Sequence, residues 1–275
     1  MPLDRGRVLH GYDSHPGDET RLVVVWHHGT PNVGIPPAPL AADLERLGLR
    51  WLSYDRPGYG GSSPVPDRDI ASAAPDVAAV ADRAGVSRFC VLGHSGGGPH
   101  ALACAALLPD RVLAAVSAAG LAPFRAAGLE WYDGMGPVGA AGLRAASAGR
   151  AAKEAYEASL SEDTEPDFVD TDWQALSGPW GWLGSVVGPA TVRGPAPLVD
   201  DDLAYVRPWG FDPAAITVPV LLVHGADDRV VPAAHSRWLS ENIPGAELRL
   251  VRDAGHIAVL EQAPAALDWI GSTVS

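Results

Sequence analysis

Cysteine is scarce in this chain: 275 residues contain only Cys90 and Cys104. Cys90 lies in an apolar run and Cys104 in an alanine-rich helical pattern, so both are expected as buried free thiols rather than as a disulfide framework. No apolar run approaches the roughly 20 residues needed to cross a bilayer. The first twenty residues, MPLDRGRVLHGYDSHPGDET, lack the apolar core of a secretory signal. A cytoplasmic protein with no membrane partner is the expectation. Basic residues are also few, 20 Lys and Arg against 33 Asp and Glu, for a formal charge of −13. A surface of that sign repels phosphate backbones, which argues against nucleic acid as a partner. No H-x-x-x-H or C-x-x-C spacing and no glycine-rich phosphate loop appears, so neither a metal nor a cofactor is expected. His10, His15 and His235 read as surface residues. A small-molecule substrate remains the expected partner, and oligomeric state is left open.

What the chain does have is alternation. Short apolar runs at Leu22–Trp26, Arg50–Tyr54, Phe89–Leu92, Val112–Val116, Val220–Val223 and Glu247–Val251 are separated by helical patterns. The helical patterns lie at Leu40–Leu47, Ala74–Ala84, Gly97–Leu108, Ala233–Asn242 and Pro264–Ser272. Most runs are too apolar to leave one face in water, which is the pattern of parallel strands covered on both sides. The fold class is therefore α/β, with a mostly parallel central sheet. A pattern near Val8–Tyr12 reads as an antiparallel edge strand.

The alternation fails between about residues 122 and 211. That stretch holds five of the nine tryptophans, an acidic run at Glu162–Asp172 and a Gly/Pro-rich run at Ser177–Pro197. We read residues 1–121 and 212–275 as one core and 122–211 as a mainly helical cap inserted into it. Trp180, Trp182 and Trp209 are its candidate substrate contacts, and the acidic run is expected to face solvent.

The chemistry-bearing motifs sit where apolar runs end. Gly93-His94-Ser95-Gly96-Gly97 matches G-x-S-x-G directly after Phe89–Leu92 and before a small-residue helical pattern. That strand–turn–helix context presents a serine hydroxyl at the end of a sheet, with the Gly96 N–H aimed where an oxyanion would form. His27-His28-Gly29-Thr30-Pro31 follows Leu22–Trp26. Gly29 permits the turn. His28 reads as support for the loop and His27 as structural. A serine is a weak nucleophile at neutral pH unless an imidazole takes its proton and a carboxylate holds the imidazole. His256, in Asp253-Ala254-Gly255-His256, supplies the base. Asp227 and Asp228, in HGADDRVVP at His224–Pro232, compete for the acid.

These motifs, together with DRPGYGGSS at Asp55–Ser63, resemble the α/β-hydrolase superfamily, of the esterase-like kind with an HG-x-P oxyanion loop and a cap. The resemblance covers nearly the whole chain outside 122–211, in the order Ser, Asp, His. It implies an α/β-hydrolase fold and a triad of Ser95, Asp228 and His256, because the G-x-x-D-x-x-V-P pattern falls on Asp228. In that superfamily the loop after the strand Leu22–Trp26 donates a second oxyanion N–H, so the resemblance implies the Thr30 N–H as that donor, with its hydroxyl able to add a further bond. Asp55 and Arg56 are expected to anchor their own turn. It further implies cleavage of an ester or related acyl bond. The same constellation also resembles carbon–carbon bond hydrolases, cofactor-free haloperoxidases or perhydrolases, lyases and receptor-like binding proteins.

Overall fold

The computed structural model describes residues 6–161 and 163–274. Seven strands form one sheet: β1 (Gly11–Asp13), β2 (Leu22–His27), β3 (Leu49–Tyr54), β4 (Phe89–His94), β5 (Val112–Ala118), β6 (Val220–Gly225) and β7 (Glu247–Val251). Their spatial order is β1-β3-β2-β4-β5-β6-β7. Only β1 runs antiparallel to its neighbour, pairing Tyr12 with Ser53. It is shorter than the sequence pattern and displaced toward its C-terminal end. Next to it the Ser62 and Ser63 hydroxyls accept from the His10 and Val8 N–H groups, so those two N–H groups are spent on side chains rather than on a strand partner.

β2, LVVVWH, is built around three β-branched valines, and its alternate side chains feed two cores. Val24 and Trp26 pack with Leu44 of α1 (Ala41–Leu47) and with Leu267 and Ile270 of α10 (Ala263–Val274). Val23 and Val25 face the other way. They meet Val77 of α2 (Ala73–Arg83), Leu102 of α3 (Gly97–Leu107) and Leu239 of α9 (Ala234–Asn242). The helix ends fall within two residues of the sequence reading. α1 stops where Gly48 takes a left-handed φ of 61°. Cys90 and Cys104 are buried and unpaired.

Between β5 and β6 the chain forms α4 (Pro137–Ser147), α5 (Arg150–Ser159), α6 (Asp170–Ser177), α7 (Gly184–Thr191) and α8 (Ala196–Tyr205). Helices α4, α5 and α8 pack on one another. Trp131, Leu143, Val199, Leu203 and Trp209 belong to the separate core of this region. Among the described residues no helix is long and apolar enough to cross a membrane.

Sheet order fixes where a site forms. The chain leaves β2 toward β3 on one side, then crosses back to β4 on the other, so β2 and β4 are adjacent with their following loops diverging. The crevice beyond such a reversal is where open α/β sheets bind ligands.

Candidate active site

Ser95 sits at that reversal. Its φ is 55°, in the left-handed region, because the chain turns from β4 straight into α3. The turn closes only if its flanks lack side chains. A Cβ on Gly93 would lie 2.2 Å from the Gly97 carbonyl oxygen, and one on Gly97 would lie 2.0 Å from that of His27. Strain of this kind, held by the surrounding structure, is how an exposed hydroxyl is kept at one point.

His256 follows β7. Its Nε2 is 2.8 Å from Ser95 Oγ, and its Nδ1 is 2.8 Å from Asp228 Oδ2. With Nδ1–H donating to the carboxylate, Nε2 is left to accept the serine proton. Asp228 Oδ1 accepts from the Val230 and Val231 N–H groups, both at 2.9 Å. Asp227, its rival in the sequence, is exposed. Burial disfavours the Asp228 anion, yet His256 and His224 outweigh it and hold the carboxyl well below the usual range. The histidines separate in the same way. Burial drives His27, His28, His94, His100 and His235 down. Burial acts against the His256 cation too, but Asp228 and then Asp172 overcome it, and its pKa is raised.

The loop after β2 is held by a buried charge network. His28 donates through Nδ1 to the Gly29 carbonyl and accepts from the Arg56 N–H through Nε2. The Arg56 guanidinium donates to the His28 and Gly29 carbonyls, to Thr30 Oγ1 and to Asp201. Arg56 thus reaches beyond its own turn, where the sequence had placed its whole role. Asp201, from α8, is fully buried and also accepts from Arg68, Tyr59 and the Thr30 hydroxyl. That last bond corrects the sequence reading: the Thr30 hydroxyl is committed to Asp201 at 2.6 Å. Among the described residues the backbone N–H groups of Thr30 and Gly96 have no acceptor within the chain.

Two residues outside the motifs also shape the site. Asp172, at the start of α6, has no exposed surface. Its Oδ1 accepts from the N–H groups of Ile257 at 2.7 Å and Ala258 at 2.9 Å, directly after His256. The acidic run was expected in solvent. Its last member instead satisfies two donors of the histidine loop, while Glu162 lies outside the described residues. His94 Nε2 donates to the His256 carbonyl at 3.0 Å. Buried His235, read as a surface residue, instead accepts from the Ala122 N–H through Nδ1 and donates to the Trp131 carbonyl.

A cavity of about 720 Å³ opens over Ser95, Thr30, Gly96 and His256, with further walls from α4, α5, α6 and α8. The three tryptophans proposed from the sequence are not among its lining residues. Trp180 and Trp209 are 4% and 3% exposed: Trp180 packs in the core that holds Val24 and Trp26, half-buried Trp182 packs against that core, and Trp209 packs in the separate core of the region between β5 and β6. The short turn Pro179–Leu183 buries Trp180 in the same apolar cluster as Val33 and Val186. Trp173 of α6 lines the cavity in their place.

A family model described as alpha/beta hydrolase fold matches residues 23–263. The chain is 30% identical to a non-heme chloroperoxidase of Streptomyces lividans over 235 residues, 79% of this chain and 78% of that one. It is 27% identical to a 2-hydroxy-6-oxononadienedioate/2-hydroxy-6-oxononatrienedioate hydrolase of Cupriavidus pinatubonensis, over 96% of this chain and 91% of that one. The structure of an enol-lactonase from Burkholderia xenovorans superposes with a TM-score of 0.69 at 21% identity, over 98% and 97% of the two chains.

Proposed function

The chain belongs to the alpha/beta hydrolase fold family, and on that premise we propose that it is a serine hydrolase. In this reading it cleaves an ester or related acyl bond of a small or medium, mainly apolar substrate. The observation that carries the reading is the continuous relay from Asp228 through His256 to Ser95 at the floor of the cavity.

The steps follow from the geometry. Ser95 Oγ gives its proton to His256 Nε2 and bonds to the substrate carbonyl carbon. Negative charge moves onto the carbonyl oxygen, where the N–H groups of Thr30 and Gly96 receive it. Donors already fixed in place need no reorganisation as that charge appears. Arg56 and Asp201 keep the Thr30 segment fixed. The tetrahedral adduct collapses and breaks the bond to the leaving group, which takes the proton from His256. Water then loses a proton to His256, attacks the acyl-enzyme, and releases the acid and the free Ser95 hydroxyl. Asp228 stays ionised throughout and stabilises each imidazolium. Residues 122–211 act as a lid in this scheme. They limit water and select the acyl group by shape.

A fluorophosphonate is expected to label Ser95 stoichiometrically. Ser95→Ala is expected to lose the label and to lower kcat on p-nitrophenyl hexanoate by on the order of 10⁴–10⁶. Stoichiometric labelling elsewhere with Ser95 untouched, or an unimpaired Ser95→Ala enzyme, would overturn the proposal.

A further inference from the structure

The chain has nineteen arginines and a single lysine, Lys153. That lysine is not on the surface. It lies on α5 with 2% of its area exposed, and it lines the same cavity as Ser95. Its Nζ is 2.6 Å from Glu157 Oε1 and 2.6 Å from Asp202 Oδ2. Gly142 of α4 leaves room for it: a Cβ there would stand 3.1 Å from Nζ. Three consecutive aspartates of α8 are divided among four basic partners. Asp200 pairs with Arg150, Asp201 with Arg56 and Arg68, and Asp202 with Lys153.

One carboxylate would be enough to neutralise a buried ammonium and to pin α5 to α8. The second leaves the cluster one negative charge in excess. Burial pushes the Asp202 carboxyl up to about 6, against the pull of Lys153. The Glu157 and Asp202 side chains keep 12% and 14% exposure, and both line the cavity. Asp167 lines it as well, and among the described residues no arginine does. A carboxylate entering this space meets two fixed carboxylates and a cation already engaged by both. A donor group meets oxygens able to accept.

We infer that Lys153, Glu157 and Asp202 form a polar subsite of the Ser95 cavity that receives a hydrogen-bond-donating head group of the substrate, an ammonium or a hydroxyl, and turns carboxylates away. The inference rests on the hydrolase reading of Ser95 and names the substrate class for it: an acyl chain whose far end carries a donor. The alkyl part lies along the apolar wall between, where Leu121, Leu143 and Val231 line the cavity. The lysine holds the two carboxylates in place and limits their mutual repulsion.

Three p-nitrophenyl esters of equal chain length test it: 6-aminohexanoate, hexanoate and hydrogen adipate. The ratio of kcat/KM for the amino ester to that for the adipate ester is expected to reach at least about tenfold. In Glu157→Gln and Asp202→Asn that ratio is expected to fall toward one, whatever happens to absolute rates. Where a variant fails to fold, inhibition of wild-type hexanoate turnover decides instead, with hexylammonium expected to inhibit at least about tenfold more tightly than hexanoate ion. If the esters turn over and Ser95 takes the fluorophosphonate, but charge makes no difference in either assay, the subsite is wrong and the hydrolase stands. A ratio that both variants leave unmoved has the same meaning. If no ester turns over and Ser95 stays unlabelled, the hydrolase reading falls and the subsite with it.

Discussion

Replacing Asp172 separates two things this residue does for His256. Asp172→Asn keeps the shape and an oxygen able to accept from Ile257 and Ala258, but removes the charge and sets its amide NH2 against the Val169 N–H that Oδ2 now accepts at 3.1 Å. An anion near an imidazole stabilises its protonated form, so its loss makes the proton easier to lose. Asp172 is one of the charges that raise the His256 pKa above its ordinary value. The acidic limb of the kcat/KM profile, where the base becomes neutral and active, is therefore expected to move to lower pH in this variant. Asp172→Ala removes the acceptor as well. It strands two buried N–H groups that now bond at 2.7 and 2.9 Å. At about 1–3 kcal/mol for each unsatisfied donor, the cost is roughly 2–6 kcal/mol. That is a large share of a typical total of about 5–15 kcal/mol, so a lowered urea midpoint should accompany a lowered kcat. Profiles on p-nitrophenyl hexanoate from acid to neutral pH, with urea titrations of each variant, measure both effects. An unmoved limb in the Asn variant would refute the electrostatic argument. A loss below about 1 kcal/mol with normal kcat in the Ala variant would refute the positioning argument.

Asp228→Asn is expected to lower kcat by about 10⁴, because the amide no longer fixes or stabilises the imidazolium, while exposed Asp227→Asn should change little in the same assay. Trp173→Ala is expected to alter relative kcat/KM across a series of acyl lengths. Buried Trp180→Ala and Trp209→Ala should each cost about 3–5 kcal/mol in urea titrations and leave those ratios alone. Asp201→Ala breaks a buried ion pair and should cost about 3–5 kcal/mol. Burial opposes the Asp201 anion, but Arg56 and Arg68 win and hold its carboxyl well below the usual range. Its contribution is thus complete above the ordinary carboxylate pKa of about 4 and fades as pH falls further. Asp201→Asn should accordingly show a shallower decline of stability with pH below about 4 than the parent protein.

The strands were legible because burial on both faces leaves an unbroken apolar run, as in Leu22–Trp26, and no helix start competes with it. The turn at Ser95 was legible because close approach of backbone at Gly93 and Gly97 admits only glycine. The contacts that hold the site from outside were not. Asp172 meets Ile257 across 85 positions and Asp201 meets Arg56 across 145, and nothing local marks either partner. An acidic run in a chain of charge −13 looks like a solvated face until the structure assigns its last residue three N–H donors. The tryptophans failed for a related reason. Without a helical or strand period there is no way to tell which ring faces inward, and Trp173 rather than Trp180 came to line the cavity.

The bond from Asp201 to Arg56 bears on how far the region between β5 and β6 can be treated as an interchangeable part. Exchange of such regions between related enzymes assumes that the sheet and its loops stand complete without them. Here the guanidinium that steadies the loop after β2 takes its counter-charge from α8. A transplanted segment lacking a carboxylate at that position would leave Arg56 buried beside the His28–Thr30 loop without a counter-charge from α8, and the recipient would lose the loop before any question of specificity arose. An exchange of residues 122–211 that keeps the Arg56 counter-charge must therefore retain α8 with the core.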